Sequence, residues 1–127
     1  MFRLSNRSIN RLEGVNNDLA RVVQRAIEIT PLDFGVTEGI RTKQRQQKLF
    51  DSGASKTLNS RHLTGHAVDL VVYFEGDVSW HMGHYEIIAN AMKEAASEQG
   101  INIEWGGDWK SFRDGPHFQL SRKEYPA

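Results

Sequence analysis

His62, Asp69 and His117 are the residues of this chain best suited to act on chemistry together. His62 and Asp69 lie seven positions apart with Gly65 between them. Asp69 sits inside the apolar run Val68, Leu70, Val71, Val72. A carboxylate in such a run is costly to bury unless it is paired or bound to metal. Neutral imidazole and carboxylate are both good zinc ligands. Gly65 allows a sharp turn that folds His62 back beside Asp69. The segment Asp114-Gly115-Pro116-His117 supplies a third candidate ligand in His117, and Asp114 stands three residues before it across a turn. Three ligands, a fourth position open to water and a carboxylate base are what a metal hydrolase requires.

Each residue has a plainer reading. His62 could cap a loop. Asp69 could pair with Arg41 or Arg61. His117 could be a strand histidine that donates to a carbonyl. Asp114 could be no more than a turn residue, because Asp-Gly marks turns by itself. His62 and His66 share the i, i+4 spacing of a helical zinc site, but Leu63 stands where that motif has Glu, and Thr64-Gly65 is poor helix. His66 is therefore read as a non-ligand near the cleft. His81 and His84 read as an exposed pair at a helix start. No Gly-x-Ser-x-Gly elbow accompanies Ser60, which speaks against a serine hydrolase.

The elements that must hold these residues follow from periodicity. Leu19, Val22, Val23, Ala26 and Ile27 predict a helix over 17–29, capped at Asn16 or Asn17 and ended by Pro31. A short helix is expected from Ser8, with Ile9 and Leu12 apolar. Residues 34–38 read as a strand. Residues 43–51 read as a helix, with Leu49 and Phe50 inward and Gly53 as its stop. The polar stretch 54–65 reads as a loop, 67–73 as a buried strand and 75–77 as a turn. A long helix is expected over 82–99, with Ile87, Ile88, Ala91, Met92 and Ala95 on one face. Strands are expected at 101–105 and 116–120, joined through a Gly106-Gly107 turn. This mixture, without regular βαβ alternation, predicts an α+β fold: one domain with helices around a small antiparallel sheet that carries the metal site.

Composition limits the function classes. The 127 residues carry 16 basic and 16 acidic side chains, for a formal charge of zero. That balance argues against nucleic acid as the main target. No apolar run approaches the ~20 residues of a membrane span. The N-terminus has no secretory apolar region. There is no cysteine, so any metal must rest on His, Asp or Glu.

The pattern Ser60-x-His62-x-x-Gly65-x-Ala67-x-Asp69, followed by Asp114-x-x-His117, resembles the zinc peptidases related to D-alanyl-D-alanine dipeptidases and carboxypeptidases. Within that group the chain is most similar to phage endolysins that are L-alanyl-D-glutamate peptidases. Glu38-Gly39-Ile40-Arg41-Thr42, Ser55-Lys56-Thr57 and Trp105-Gly106-Gly107-Asp108-Trp109 fit the same family in order, so the likeness runs from about 17 to 120.

The resemblance implies one zinc ion per chain on His62, Asp69 and His117, with Asp114 as general base. It implies that Arg41 polarises the scissile carbonyl or stabilises the oxyanion, and that Ser60 supports the ligands or touches substrate. Trp105 and Trp109 either line a substrate groove or pack at the core edge. The dipeptidase branch has Glu where Asp114 stands, and this difference favours the endolysin branch. The implied substrate is the peptidoglycan stem peptide. The alternatives are a D,D-carboxypeptidase or dipeptidase and a non-catalytic wall-binding module. Asp114 and Arg41 beside all three ligands favour an enzyme. The expected setting is the cytoplasm of the producing cell, with a holin-like partner opening the membrane. A monomer without a separate wall-binding domain is expected over 1–127.

Overall fold

The computed structural model describes residues 1–126. Its elements are α1 (Asn6–Arg11), α2 (Asn17–Ile29), β1 (Asp33–Glu38), α3 (Lys43–Asp51), a 3-10 turn (Arg61–Thr64), β2 (Ala67–Phe74), β3 (Asp77–Ser79), α4 (Met82–Glu98), β4 (Ile103–Trp105), a second 3-10 turn (Gly106–Asp108) and β5 (His117–Leu120). The five strands form one antiparallel sheet in the order β1-β2-β5-β4, with β3 also on β2. This is the expected α+β architecture.

β2 organises the sheet because its side chains alternate between two faces. Val68, Leu70 and Val72 point into the core, where they join Leu19, Val22, Val23 and Ala26 of α2 and Ile88, Met92 and Ala95 of α4. Burial of each large aliphatic side chain contributes roughly 1.5–3 kcal/mol. The opposite face receives Asp69. It pairs in register with Glu38 of β1 on one side and His117 of β5 on the other. Sheet register thus brings together residues 38, 69 and 117, which are far apart in sequence. β5 follows the same rule. Phe118 and Leu120 face the core, whereas His117 and Gln119 face the site.

Several local expectations need correction. α1 starts earlier, because Ser5 rather than Ser8 caps it. The Ser8 hydroxyl is buried and accepts from the Val36 amide instead. α3 has the expected bounds, but Phe50 is exposed and the buried residue is Gln46. Its amide bonds Arg41, Ser55 and the Thr57 carbonyl, so this polar helix is fixed by hydrogen bonds rather than by an apolar face. Ile87 is exposed at the edge of the α4 core face, unlike Ile88 and Met92. β3 was not expected, because three residues give no periodic signal. The end of the expected loop over 54–65 contains the 3-10 turn at Arg61–Thr64.

Candidate active site

The 3-10 turn delivers His62. The Ser60 hydroxyl caps it by accepting from the His62 amide at 3.2 Å. Gly65 ends it at φ 77°, in the left-handed region that favours glycine. A Cβ there would lie 2.6 Å from the Gly14 carbonyl oxygen, so the turn needs both the conformation and the missing side chain.

The three candidate ligands converge. His62 Nε2 lies 3.2 Å from Asp69 Oδ1, and His117 Nδ1 lies 3.3 Å from the same oxygen. Both histidines are buried, at 2% and 8% exposure. Their other ring nitrogens are committed. His62 Nδ1 donates to the Gly39 carbonyl at 2.8 Å, and His117 Nε2 donates to Gln119 Oε1 at 2.8 Å. These bonds fix the tautomers so that both rings turn a lone pair toward an anionic oxygen. Lone pairs facing a carboxylate require a cation between them, either a proton or a metal. Adjacent ligand atoms of a tetrahedral zinc site, with bonds of roughly 2.0–2.1 Å, stand about 3.3 Å apart. The two edges fit that spacing, and His62, Asp69 and His117 could hold a metal ion.

The electrostatics agree. Burial by itself would raise the Asp69 carboxyl, but hydrogen bonds and charge from His117 and His62 hold it well below the usual carboxylate range. Burial works against a charged His117, yet Asp69 raises that imidazole above its ordinary value.

Asp114 faces the same cleft. Its backbone is pinned, since its amide donates to the Gly106 carbonyl at 3.0 Å and its carbonyl accepts from the His117 amide at 3.2 Å. Gly106 has no room for a Cβ, which would collide with the Asp114 carbonyl oxygen. Asp114 is exposed as a whole residue, but partial desolvation of its carboxyl in the cleft and the nearby Asp69 charge push that carboxyl upward. The result is a carboxylate more basic than usual beside the candidate metal cluster.

Arg41 closes another wall. Its Nε and Nη2 donate to the two oxygens of Glu38 at 2.6 and 2.7 Å, and Nη1 donates to Gln46 Oε1 at 2.7 Å. Nη2 also lies 3.7 Å from Asp69 Oδ2. The guanidinium is held on several sides and borders a cleft of about 600 Å³ together with the metal cluster and Asp114. The pairing of Asp69 with Arg41 and its place in the cluster therefore coexist.

A family model described as phage L-alanyl-D-glutamate peptidase matches residues 1–122. The chain belongs to that family. It is 30% identical to the L-alanyl-D-glutamate peptidase of Escherichia phage T5 over 98% of this chain and 93% of that one. The crystal structure of the Serratia marcescens L-Ala D-Glu endopeptidase ChiX superposes with a TM-score of 0.94 at 49% identity, covering 99% of this chain and 95% of that one. The vancomycin-resistance D,D-dipeptidase VanXYg shares the fold, with a TM-score of 0.55 at 18% identity over 84% of this chain and 50% of that one.

The two tryptophans, for which groove and core edge were both open, take one position each. Trp109 lines the cleft, its ring centroid 5.2 Å from that of His117. Trp105 is instead buried in the core, where its indole donates to the Gly115 carbonyl at 2.7 Å and stacks near Phe118. It braces the Asp114 turn from behind. His66 stays outside the cluster, bonded to Thr64. His81 caps α4, and His84 stacks on Phe74.

The sequence reading missed three supporting groups: Gln119, the Gly39 carbonyl and the Glu38–Gln46 cradle of Arg41. The i, i+2 spacing of His117 and Gln119 was a usable signal, because both side chains of a strand then share a face. The contacts at Gly39 and Gln46 had no such signal. Of the two arginines weighed as partners of Asp69, Arg41 lies near it and Arg61 forms no ion pair among the described residues. Arg61 is 4% exposed and bonds the Leu120 carbonyl through Nη2, while Nε and Nη1 find no partner among the described residues.

Proposed function

We propose that the chain is a zinc-dependent peptidoglycan endopeptidase that hydrolyses the L-alanyl-D-glutamate bond of the stem peptide. The observation that carries this reading is the convergence of His62, Asp69 and His117 on two 3.2–3.3 Å edges, with Asp114 in the same cleft. Family membership supports the choice of bond.

In this reading His62 Nε2, Asp69 Oδ1 and His117 Nδ1 hold one zinc ion. Zinc at this position supplies Lewis acidity, which makes water acidic enough to react near neutral pH and polarises a bound carbonyl. Asp114 takes one proton from the attacking water. The water oxygen bonds to the alanyl carbonyl carbon, the C–N bond breaks, and Asp114 returns the proton to the leaving glutamate nitrogen. Arg41, fixed by Glu38 and Gln46, faces the negative charge that develops on the carbonyl oxygen. Ser60 keeps His62 in place through its amide. Trp109 offers a flat apolar wall to the stem peptide.

The role we assign is lysis of a bacterial host. The chain would act on the wall as a monomer after a separate membrane-permeabilising partner opens the way. Among the described residues no helix is long and apolar enough to cross a membrane.

Digestion of purified Gram-negative peptidoglycan, with mass spectrometry of the released ends, tests the reading. Fragments with a new N-terminal glutamate are expected, and a chelator should abolish them. Loss of terminal D-alanine would move the chain to carboxypeptidase chemistry. Zinc binding without cleavage would make it a wall-binding module.

A further inference from the structure

The chain is neutral as a whole, but its cleft is not. Five cationic residues line it, Arg41, Lys56, Arg61, Arg113 and Arg122, against the acids Glu38, Asp69 and Asp114. Among the described residues only Arg41 of these cations has a carboxylate within 4 Å. An excess of unpaired positive charge in a cleft raises the local concentration of anionic ligands.

Arg113 is a cleft-lining cation whose guanidinium is anchored at one end and free at the other. It is the chain neighbour of Asp114. Its Nε donates to the Gly107 carbonyl at 2.8 Å, which anchors the guanidinium and leaves both terminal nitrogens without a protein acceptor among the described residues. A fork tied at Nε and open at its two ends suits bidentate recognition of a carboxylate. The preceding residue, Phe112, has φ 54°, a conformation rare for a bulky side chain, so the rim of this loop has a defined and unusual shape. Arg61 lies elsewhere, at the far end of β5, where it bonds the Leu120 carbonyl. Lys56 stands 5.8 Å from the centroid of the Phe112 ring.

The chemistry of the bond names a ligand for Arg113. Glutamate has two carboxyl groups. Whichever one carries the rest of the stem, the other remains free and lies within a few bonds of the leaving nitrogen. We propose that Arg113 is a specificity-determining residue whose terminal nitrogens bind this free glutamate carboxylate, so that the enzyme selects acidic stems over stems amidated at that position. The inference rests on the endopeptidase reading above and narrows its substrate class. Asp114 handles the proton on the leaving nitrogen, and Arg113, lining the same cleft, fixes the same residue of the substrate.

The test uses the zinc-loaded full chain and two soluble stem peptides that differ only in having a carboxylate or a carboxamide at the free position. The readout is the ratio of kcat/KM for acid over amide. A charge-assisted bidentate contact corresponds to about 10- to 100-fold. Wild type should show a ratio in that range, carried mainly by KM. Arg113→Gln should bring the ratio to within about twofold of unity, and Arg113→Lys should give an intermediate value, since it keeps the charge but loses the fork. A purely structural role would lower both rates together and leave the ratio unchanged, which would overturn the proposal. A wild-type ratio near one would overturn it too, while leaving the endopeptidase reading intact. If wild type cuts neither peptide, that reading falls, and this one with it.

Discussion

Gln119 Oε1 accepts from His117 Nε2 at 2.8 Å, and this bond turns the Nδ1 lone pair of His117 toward Asp69. The strand pleat produces the relationship, because residues 117 and 119 share one face of β5. Gln119 thus orients His117, and it would act as a positioning residue for the proposed metal ion. Gln119→Leu should weaken zinc binding about 10- to 100-fold, the usual cost of losing a partner behind a metal-binding histidine. Gln119→Glu retains an acceptor and should recover most of that loss. Competition with a chromogenic chelator measures both. Unchanged affinity in the leucine variant would show that Gln119 does not position His117 for metal.

Glu38 should matter more for Arg41 than for metal. Both oxygens of Glu38 are engaged by the Arg41 fork. Glu38→Ala leaves a nearly buried guanidinium without its main counter-ion, a change that costs about 3 kcal/mol when a buried pair is broken. Chemical denaturation should show that loss, and kcat should fall while zinc stoichiometry holds. Wild-type stability and kcat in this variant would contradict the cradle.

Gly65→Ala tests the turn that delivers His62. The site has φ 77° and the Gly14 carbonyl oxygen 2.6 Å from any added Cβ. Backbone strain of this kind costs on the order of 1–3 kcal/mol. Thermal unfolding should register it, together with weaker zinc binding. A variant with wild-type melting and affinity would show that the turn tolerates a side chain.

Metal binding should depend on pH with a definite sign. Asp69 raises His117, so in the metal-free chain the protonated imidazole contributes stability below the unfolded value of about 6.5. That contribution disappears as pH rises through the raised folded value. Asp69 is depressed, so its contribution is present above about pH 3.9 and is lost as pH falls through its folded value. If His117 Nδ1 holds the proposed zinc ion, the ring must be neutral there and binding must release that proton. Apparent affinity should therefore fall about tenfold per pH unit below the raised value. Calorimetry in buffers of different ionisation enthalpy measures the released proton. No release near pH 6.5, about the ordinary imidazole value, would contradict the assignment.

Much of this site was legible in the sequence because its residues carry chemical type as well as spacing. His62, Asp69, His117 and Asp114 stand out as two histidines beside turn residues, an acid in an apolar run and a second acid three residues before a histidine. The helices α2 and α4 were legible from their periodic apolar faces. Phe50 and Ile87 were misplaced because one apolar residue at a helix edge does not say which way it points. Gln46 and Glu38 were silent because their role exists only once α3 and β1 pack around Arg41. Trp105 and Trp109 are alike in sequence, and only the sheet pairing of residue 105 with Phe118 sends the first into the core.

Zinc content and cleavage, measured together in Asp114→Asn, separate metal holding from base catalysis. Asp114 is not among the three converging ligands, and its carboxylate is the proposed base. The variant should bind one zinc ion per chain with near wild-type affinity, while cleavage of the L-alanyl-D-glutamate bond falls by about 10²–10⁴-fold, the usual contribution of a positioned base. Cleavage at the wild-type rate, or loss of zinc along with activity, would contradict the division of this site into a metal-holding cluster and a separate base.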